Sequence, residues 1–260
     1  MKFKPVYQYR LRHDASLLGY AYLGIFAGIW WLPTLLSLLL TGRQSALAPS
    51  QYLASLFPQF AMQILFFIAS GMVYRGFTVL IQNGITRRTY WWAKLASLLT
   101  YAGLVSVLNV LYRLTIAQPL GLKTYQAYGR LEFGSFTAHG VSDIWWFWGR
   151  DLSTLVLLIA AGMMAGAILA LLNWRWKVVT LIAVPCAGAG LIAITLASVG
   201  NTSNAFYNSW AGALLRLMYG FDGHFRYHAP GNSIVTSLIL TLICLLISYA
   251  FNRLLAIRRS

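Results

Sequence analysis

The sequence predicts an all-α, polytopic membrane protein, and three observations carry that reading. Several apolar runs reach the roughly 20 residues that a helix needs to cross a bilayer. Only 10% of the 260 residues are charged, against roughly 25% in an average soluble domain. The cations collect at the ends of the apolar runs, where they anchor helices and set topology. That placement also accounts for the formal net charge of +15 without a nucleic-acid groove, so no nucleic-acid partner is expected. Strand-like alternation between turn signals, which an outer-membrane barrel requires, is absent.

The chain reads as one transmembrane domain over 1–260, with an N-terminal segment and six spans. Residues 1–15 are too polar to span, yet mix Phe3, Val6, Tyr7, Tyr9 and Leu11 with four cations. Such a mixture suits an interfacial helix lying on an anionic membrane face, with a plain basic tail as the alternative. The spans follow at 16–40, 56–79, 93–117, 144–172, 178–199 and 233–251. The first apolar run reaches spanning length behind a polar start, so no cleavable leader is expected.

Basic residues are the more numerous beside one set of span ends: Lys2, Lys4, Arg10, Arg12, Arg87, Arg88, Lys94, Arg175, Lys177, Arg253, Arg258 and Arg259. The other side holds Arg43, Lys123, Arg130, Arg150, Arg216 and Arg226, together with most of the acids. The asymmetry predicts a multi-pass protein of the plasma membrane with both termini in the cytoplasm. Two outer loops are long. Residues 118–143 close on Trp145, Trp146 and Trp148, an interfacial aromatic belt. Residues 205–221 are apolar but too few to cross and return, which predicts a re-entrant or interfacial outer helix before the last span.

Within the spans, small residues and charges are the informative features. Gly162 and Gly166 form a G-x-x-x-G in the fourth span, a spacing that lets helix backbones approach closely, within or between subunits. Pro185 with its neighbouring Gly and Ala residues makes the fifth span slim and kinked, which we read as packing. Arg75 lies nine residues before Gly84 and is a candidate for the substrate pathway, facing an acidic group on cargo, or else a headgroup anchor. Arg113 is expected to snorkel outward. No Asp or Glu lies near the middle of a span, and Asp151 is close to the outer end of the fourth. Ion-coupled carriers commonly use such carboxylates, so this weakens a carrier reading.

Catalytic and metal chemistry find little support. His224 and His228 are four apart beside Asp222, but Gly223, Pro230 and Gly231 mark a loop, and a third firm ligand is missing. Cys186 and Cys244 sit in apolar spans and read as small core residues. Neither G-x-S-x-G nor H-E-x-x-H occurs, and no carboxylate pair stands near a histidine. We expect no catalytic residue, no metal and no cofactor in this chain.

One stretch, QNGITRRTYWWAKL over 82–95, interrupts the apolar pattern between the second and third spans. Asn83-Gly84 tolerates the positive φ of a tight turn. Thr86 is placed to cap a helix starting at Arg87. At about 100° per residue, Arg87 and Lys94 share one face, with Trp91, Trp92 and Leu95 on an adjoining arc. The expectation is a helix lying on the membrane by its aromatic side and presenting charge to the cytoplasm. The alternative is a plain inner loop whose arginines only set topology.

NGITRRTYWWAKL resembles the segment between the second and third spans of ABC-2 type exporter permeases. Gram-positive members often read N-G-[IV]-[ST]-[RK]-[RK]-[TS]-[FY] there, and Asn83, Gly84, Ile85, Thr86, Arg87, Arg88, Thr89 and Tyr90 match it position by position. The match covers about a dozen residues, and the layout of six spans agrees. The resemblance implies that this segment is a coupling helix seated in a groove of a separate ABC ATPase subunit. It further implies a dimer with a second permease copy or paralogue among membrane lipids, ATP and Mg being bound by the partner subunit. The cargo class it implies is amphipathic or hydrophobic, with peptides favoured. A phosphate loop of the form G-x-x-x-x-G-K-[ST] does not occur in the chain. The alternatives are a non-transporting sensor or immunity protein for amphipathic peptides, and a secondary carrier or channel.

Overall fold

The computed structural model describes residues 3–41, 57–72, 77, 80–112, 114–115, 141–173, 175–180, 183 and 230–254. Among them there is no strand. Five long helices appear in order: α1 (Phe3–Thr41), α2 (Phe57–Gly71), α3 (Arg87–Tyr112), α4 (Val141–Leu171) and α5 (Pro230–Leu254). Pro5 and Pro58 sit in first turns and Pro230 at the start of α5, where the missing N–H would have had no partner, whereas Pro33 falls inside α1 and removes one helical hydrogen bond there.

Three of these helices are long and apolar enough to cross a membrane: Arg87–Tyr112, Ile144–Leu171 and Gly231–Leu254. They fall on the expected third, fourth and sixth spans. The first expected span lies within α1 and part of the second within α2. The fifth, 178–199, lies almost wholly outside the described residues, as do Arg75, Arg113, the loop before α4, the segment 205–221, and His224 and His228.

The N-terminal segment departs from expectation. Instead of a separate interfacial helix over 1–15, its described residues form the first turns of a 39-residue α1, about 58 Å long at helical rise. Nothing between Val6 and Leu18 breaks a helix, since neither Gly nor Pro occurs there. Val6, Arg10, Asp14 and Leu18 recur every fourth residue and are all buried, because α1 packs chiefly on α3. Of the apolar residues expected to face a membrane, Val6 is turned into the protein, Tyr7 and Leu11 are half-buried, and Phe3 and Tyr9 stay exposed.

The core centres on α3. Trp91, Leu95, Leu98, Ala102 and Val105 repeat at three- and four-residue steps and meet Leu18, Met62, Phe66, Leu155, Ile159 and Met163. Leu245 and Tyr249 of α5 close the cluster. The most extensive helix contact is α4 with α5, followed by α2 with α4. The α2–α4 contact is made at Gly162 and Gly166. A Cβ on Gly162 would overlap Ser70 Oγ and the Phe67 carbonyl, and one on Gly166 would overlap the Gly71 backbone. Glycine here lets two backbones touch inside one chain.

Candidate functional site

The turn between α2 and α3 is defined by its caps. A helical turn over residues 80–82 ends with Asn83 and Gly84. Gly84 has φ of 76°, a left-handed conformation that glycine adopts without Cβ strain. Its N–H donates to Ile81 O (3.0 Å) and the Ile85 N–H donates to Leu80 O (3.0 Å). This is the Schellman arrangement, in which two late N–H groups satisfy carbonyls the helix leaves open. Leu80 and Ile85, the residues such a cap brings together, both pack on Phe77 and Tyr90.

Thr86 then opens α3. Its Oγ1 accepts from the Thr89 N–H (3.2 Å), its carbonyl accepts from the Tyr90 N–H (3.0 Å), and its hydroxyl lies 2.8 Å from that of Thr89. Thr86 is therefore the N-cap. Two helices are thus joined by a turn of Asn83, Gly84, Ile85 and Thr86, with Gln82, Asn83, Gly84 and Thr86 exposed at its tip.

The two arginines have different surroundings. Arg87 is half-buried, and its Nη1 donates to the Arg253 carbonyl near the end of α5 (2.7 Å). Asn252 Nδ2 donates back to the Arg87 carbonyl (3.3 Å). Arg88 is exposed. Beneath them, Tyr90 is buried edge-on to Phe77 at 5.3 Å between centroids, and the Arg10 guanidinium lies 5.6 Å above the Tyr90 ring. Trp91 Nε1 donates to Ser248 Oγ (3.1 Å), fastening α3 to α5 a second time.

Lys94 overturns one expectation. It shares a face with Arg87, but that face points inward: Lys94 is buried, and its Nζ donates to the carbonyls of Ser70 and Met72 at the end of α2. The last carbonyls of a helix lack intrahelical donors and carry partial negative charge, so a buried ammonium is held there without a carboxylate. Trp91 and Leu95, expected on the membrane side, are core residues, and Trp92 alone of that arc is exposed.

Asp14 is the second feature that sequence reasoning missed. It is buried between Arg10 (3.3 Å), Ser97 Oγ, which donates to it (2.8 Å), and His13 Nδ1 (3.3 Å). Tyr101 donates to the Leu11 carbonyl (2.8 Å), and the Tyr7 and Thr100 hydroxyls lie 3.0 Å apart. The start of α1 is thereby stitched along α3. One signal was available: Asp14 is the sole acid in the first 131 residues and stands four after Arg10, a pairing distance on a helix. Asp151 is also buried, accepting from Asn109 Nδ2 (2.9 Å) between α3 and α4.

Of the sequence-predicted residues, Asn83 to Tyr90 form one continuous cap-to-cap structure at one end of the bundle. Gly162 and Gly166 lie in the α2–α4 contact, and Arg75 is outside the described residues. No group of His, Cys, Asp or Glu with metal-site geometry occurs among the described residues. Among the described residues the fold is all-helical, with three helices long and apolar enough to cross a membrane. Compared with known protein families, with curated proteins and with solved structures, the chain matches none.

Proposed function

We propose that the chain is the membrane-embedded permease subunit of an ATP-driven exporter of the ABC-2 type. In this reading it has six spans and cytoplasmic termini, and moves an amphipathic or hydrophobic substrate, peptides favoured, out of the cell. The observation that supports this most is the turn over 80–90. A Schellman cap followed directly by an N-cap makes a stiff, exposed knuckle, and the Arg87, Trp91 and Lys94 contacts tie it to α5 and α2. Force applied at the tip therefore reaches several helices without first bending a loop.

The proposed mechanism is mechanical. A separate ABC ATPase subunit grips the knuckle, and ATP and Mg bound there draw two such subunits together. The permease dimer then rocks from inward-facing to outward-facing. Nucleotide drives this only by binding one conformation better than the other.

The test is a cysteine placed at Gln82, which is exposed, followed by crosslinking in native membranes and purification of the full chain. The expected product is a nucleotide-binding polypeptide that hydrolyses ATP and does so faster with substrate. Recovery of the chain with no ATP-hydrolysing companion overturns the proposal. A second reading, an ion-coupled carrier, draws on the buried Asp151–Asn109 pair, since ionisable groups inside apolar helices are costly and commonly functional. It is separated by transport that survives ATP depletion but is lost in Asp151→Asn.

A further inference from the structure

The exposed side of α3 changes chemistry in one direction. Arg88, Trp92 and Leu99 are all exposed, and at 3.6 residues per turn they fall within an arc of about 40°. Trp92 lies about 6 Å along the axis from Arg88, and Leu99 about 10 Å beyond Trp92. The surface therefore runs from guanidinium to indole to alkyl over these three residues, while the exposed Leu104, Val107 and Leu108 further along α3 lie about 100–200° round the helix from Arg88. A second segment repeats the order, with Arg175 and Trp176 exposed and then Val178 and Val179.

No carboxylate among the described residues pairs with Arg88. Asp14 is buried and bonded to Arg10 and Ser97.

We propose that Arg88 and Trp92 form an anchoring site for an anionic phospholipid. Arg88 takes the phosphate headgroup, Trp92 sits at the interface, and Leu99 meets the acyl chains. A lipid is the occupant whose own chemistry runs in that order: charge, then a mixed polar boundary, then hydrocarbon. An acidic protein groove matches Arg88 but has no match for Leu99, which shares the same arc some 16 Å down an apolar helix. The two adjacent arginines thus do different work, Arg87 inside the chain and Arg88 towards lipid. The inference narrows the exporter reading: it leaves the exposed tip at Gln82, Asn83, Gly84 and Thr86 to the ATPase and assigns Arg88 to lipid.

The test reconstitutes the full chain in phosphatidylcholine and phosphatidylglycerol vesicles brominated near the headgroup end of the acyl chains. The tryptophan quenching lost in Trp92→Phe isolates the signal of Trp92. That signal is expected to be quenched preferentially by the anionic lipid. Arg88→Gln should lower the preference about fivefold, the equivalent of roughly 1 kcal/mol per surface cation, while Arg88→Lys retains it. Equal quenching by both lipids, or a Trp92 shielded from both with Arg88 instead required for capture of an acidic protein, overturns the proposal.

Discussion

Arg87 and Arg253 stand 166 residues apart, and the guanidinium of the first donates a 2.7 Å hydrogen bond to the backbone carbonyl of the second. Asn252 answers with a bond to the carbonyl of Arg87. The exchange joins the start of α3 to the end of α5, where a cation also meets the negative end of a helix dipole. Arg253 is itself occupied, stacked over Tyr249 at 4.7 Å and donating to its hydroxyl. The clasp is therefore built from both sides.

Arg87→Ala should lower thermal stability in detergent, by about 1 kcal/mol for one charge-assisted bond at a partly wet site. Arg88→Ala, with no such bond, should stay within about 0.5 kcal/mol of the parent. Paired melting curves read the difference. Indistinguishable curves would mean that the clasp contributes nothing.

Gly84 is fixed by conformation and not by crowding. A Cβ there would meet nothing within 4 Å, yet φ is 76°. Gly84→Ala should cost about 1–2 kcal/mol through the left-handed backbone alone. Gly84→Asn should cost less, because asparagine visits that region more readily. A ranking of Gly above Asn above Ala in melting temperature checks this, and an alanine variant as stable as the parent refutes the Schellman turn.

Gly162 and Gly166 pose the opposite case. They are helical, so alanine suits the backbone, but the added methyl has no room against Phe67, Ser70 and Gly71. Gly166→Ala should destabilise by about 1–3 kcal/mol, as overpacking does. Gly103, also helical and with open space at its Cβ position, provides the control. Gly103→Ala should be neutral or stabilising by up to about 1 kcal/mol. Similar effects at 103 and 166 would place the α2–α4 contact elsewhere.

Sequence reading succeeds here where the cause is local. The φ of Gly84 and the Thr86 cap need only near neighbours, and hydropathy marks α3, α4 and α5 by length and composition. It fails where the partner is distant. A helical wheel groups Arg87 with Lys94 but says nothing of which neighbour lies on that face. The carbonyls of Ser70 and Met72, which hold Lys94, are backbone groups and leave no trace in residue types. Likewise the Val6–Leu18 stripe is equally amphipathic towards lipid or protein, and only the packing of α1 on α3 decides it.

The buried charges give the sharpest test of that packing. Asp14→Leu removes the acceptor of Arg10 and Ser97 and leaves a guanidinium enclosed, its Nε already lacking a partner among the described residues. Losing one member of a buried pair costs about 3–5 kcal/mol, whereas replacing both with apolar groups is often close to neutral. Arg10→Met with Asp14→Leu should therefore recover much of the stability that Asp14→Leu alone loses, a non-additivity larger than about 1 kcal/mol. Hydrogen exchange along α1 is the second readout, because Tyr7 and Leu11 are bonded to α3 through Thr100 and Tyr101. In the single variant, residues 3–15 should lose protection while α4 keeps it, and in the double variant protection should return. An additive pair with unchanged exchange would mean that the start of α1 is not held against α3 by this network.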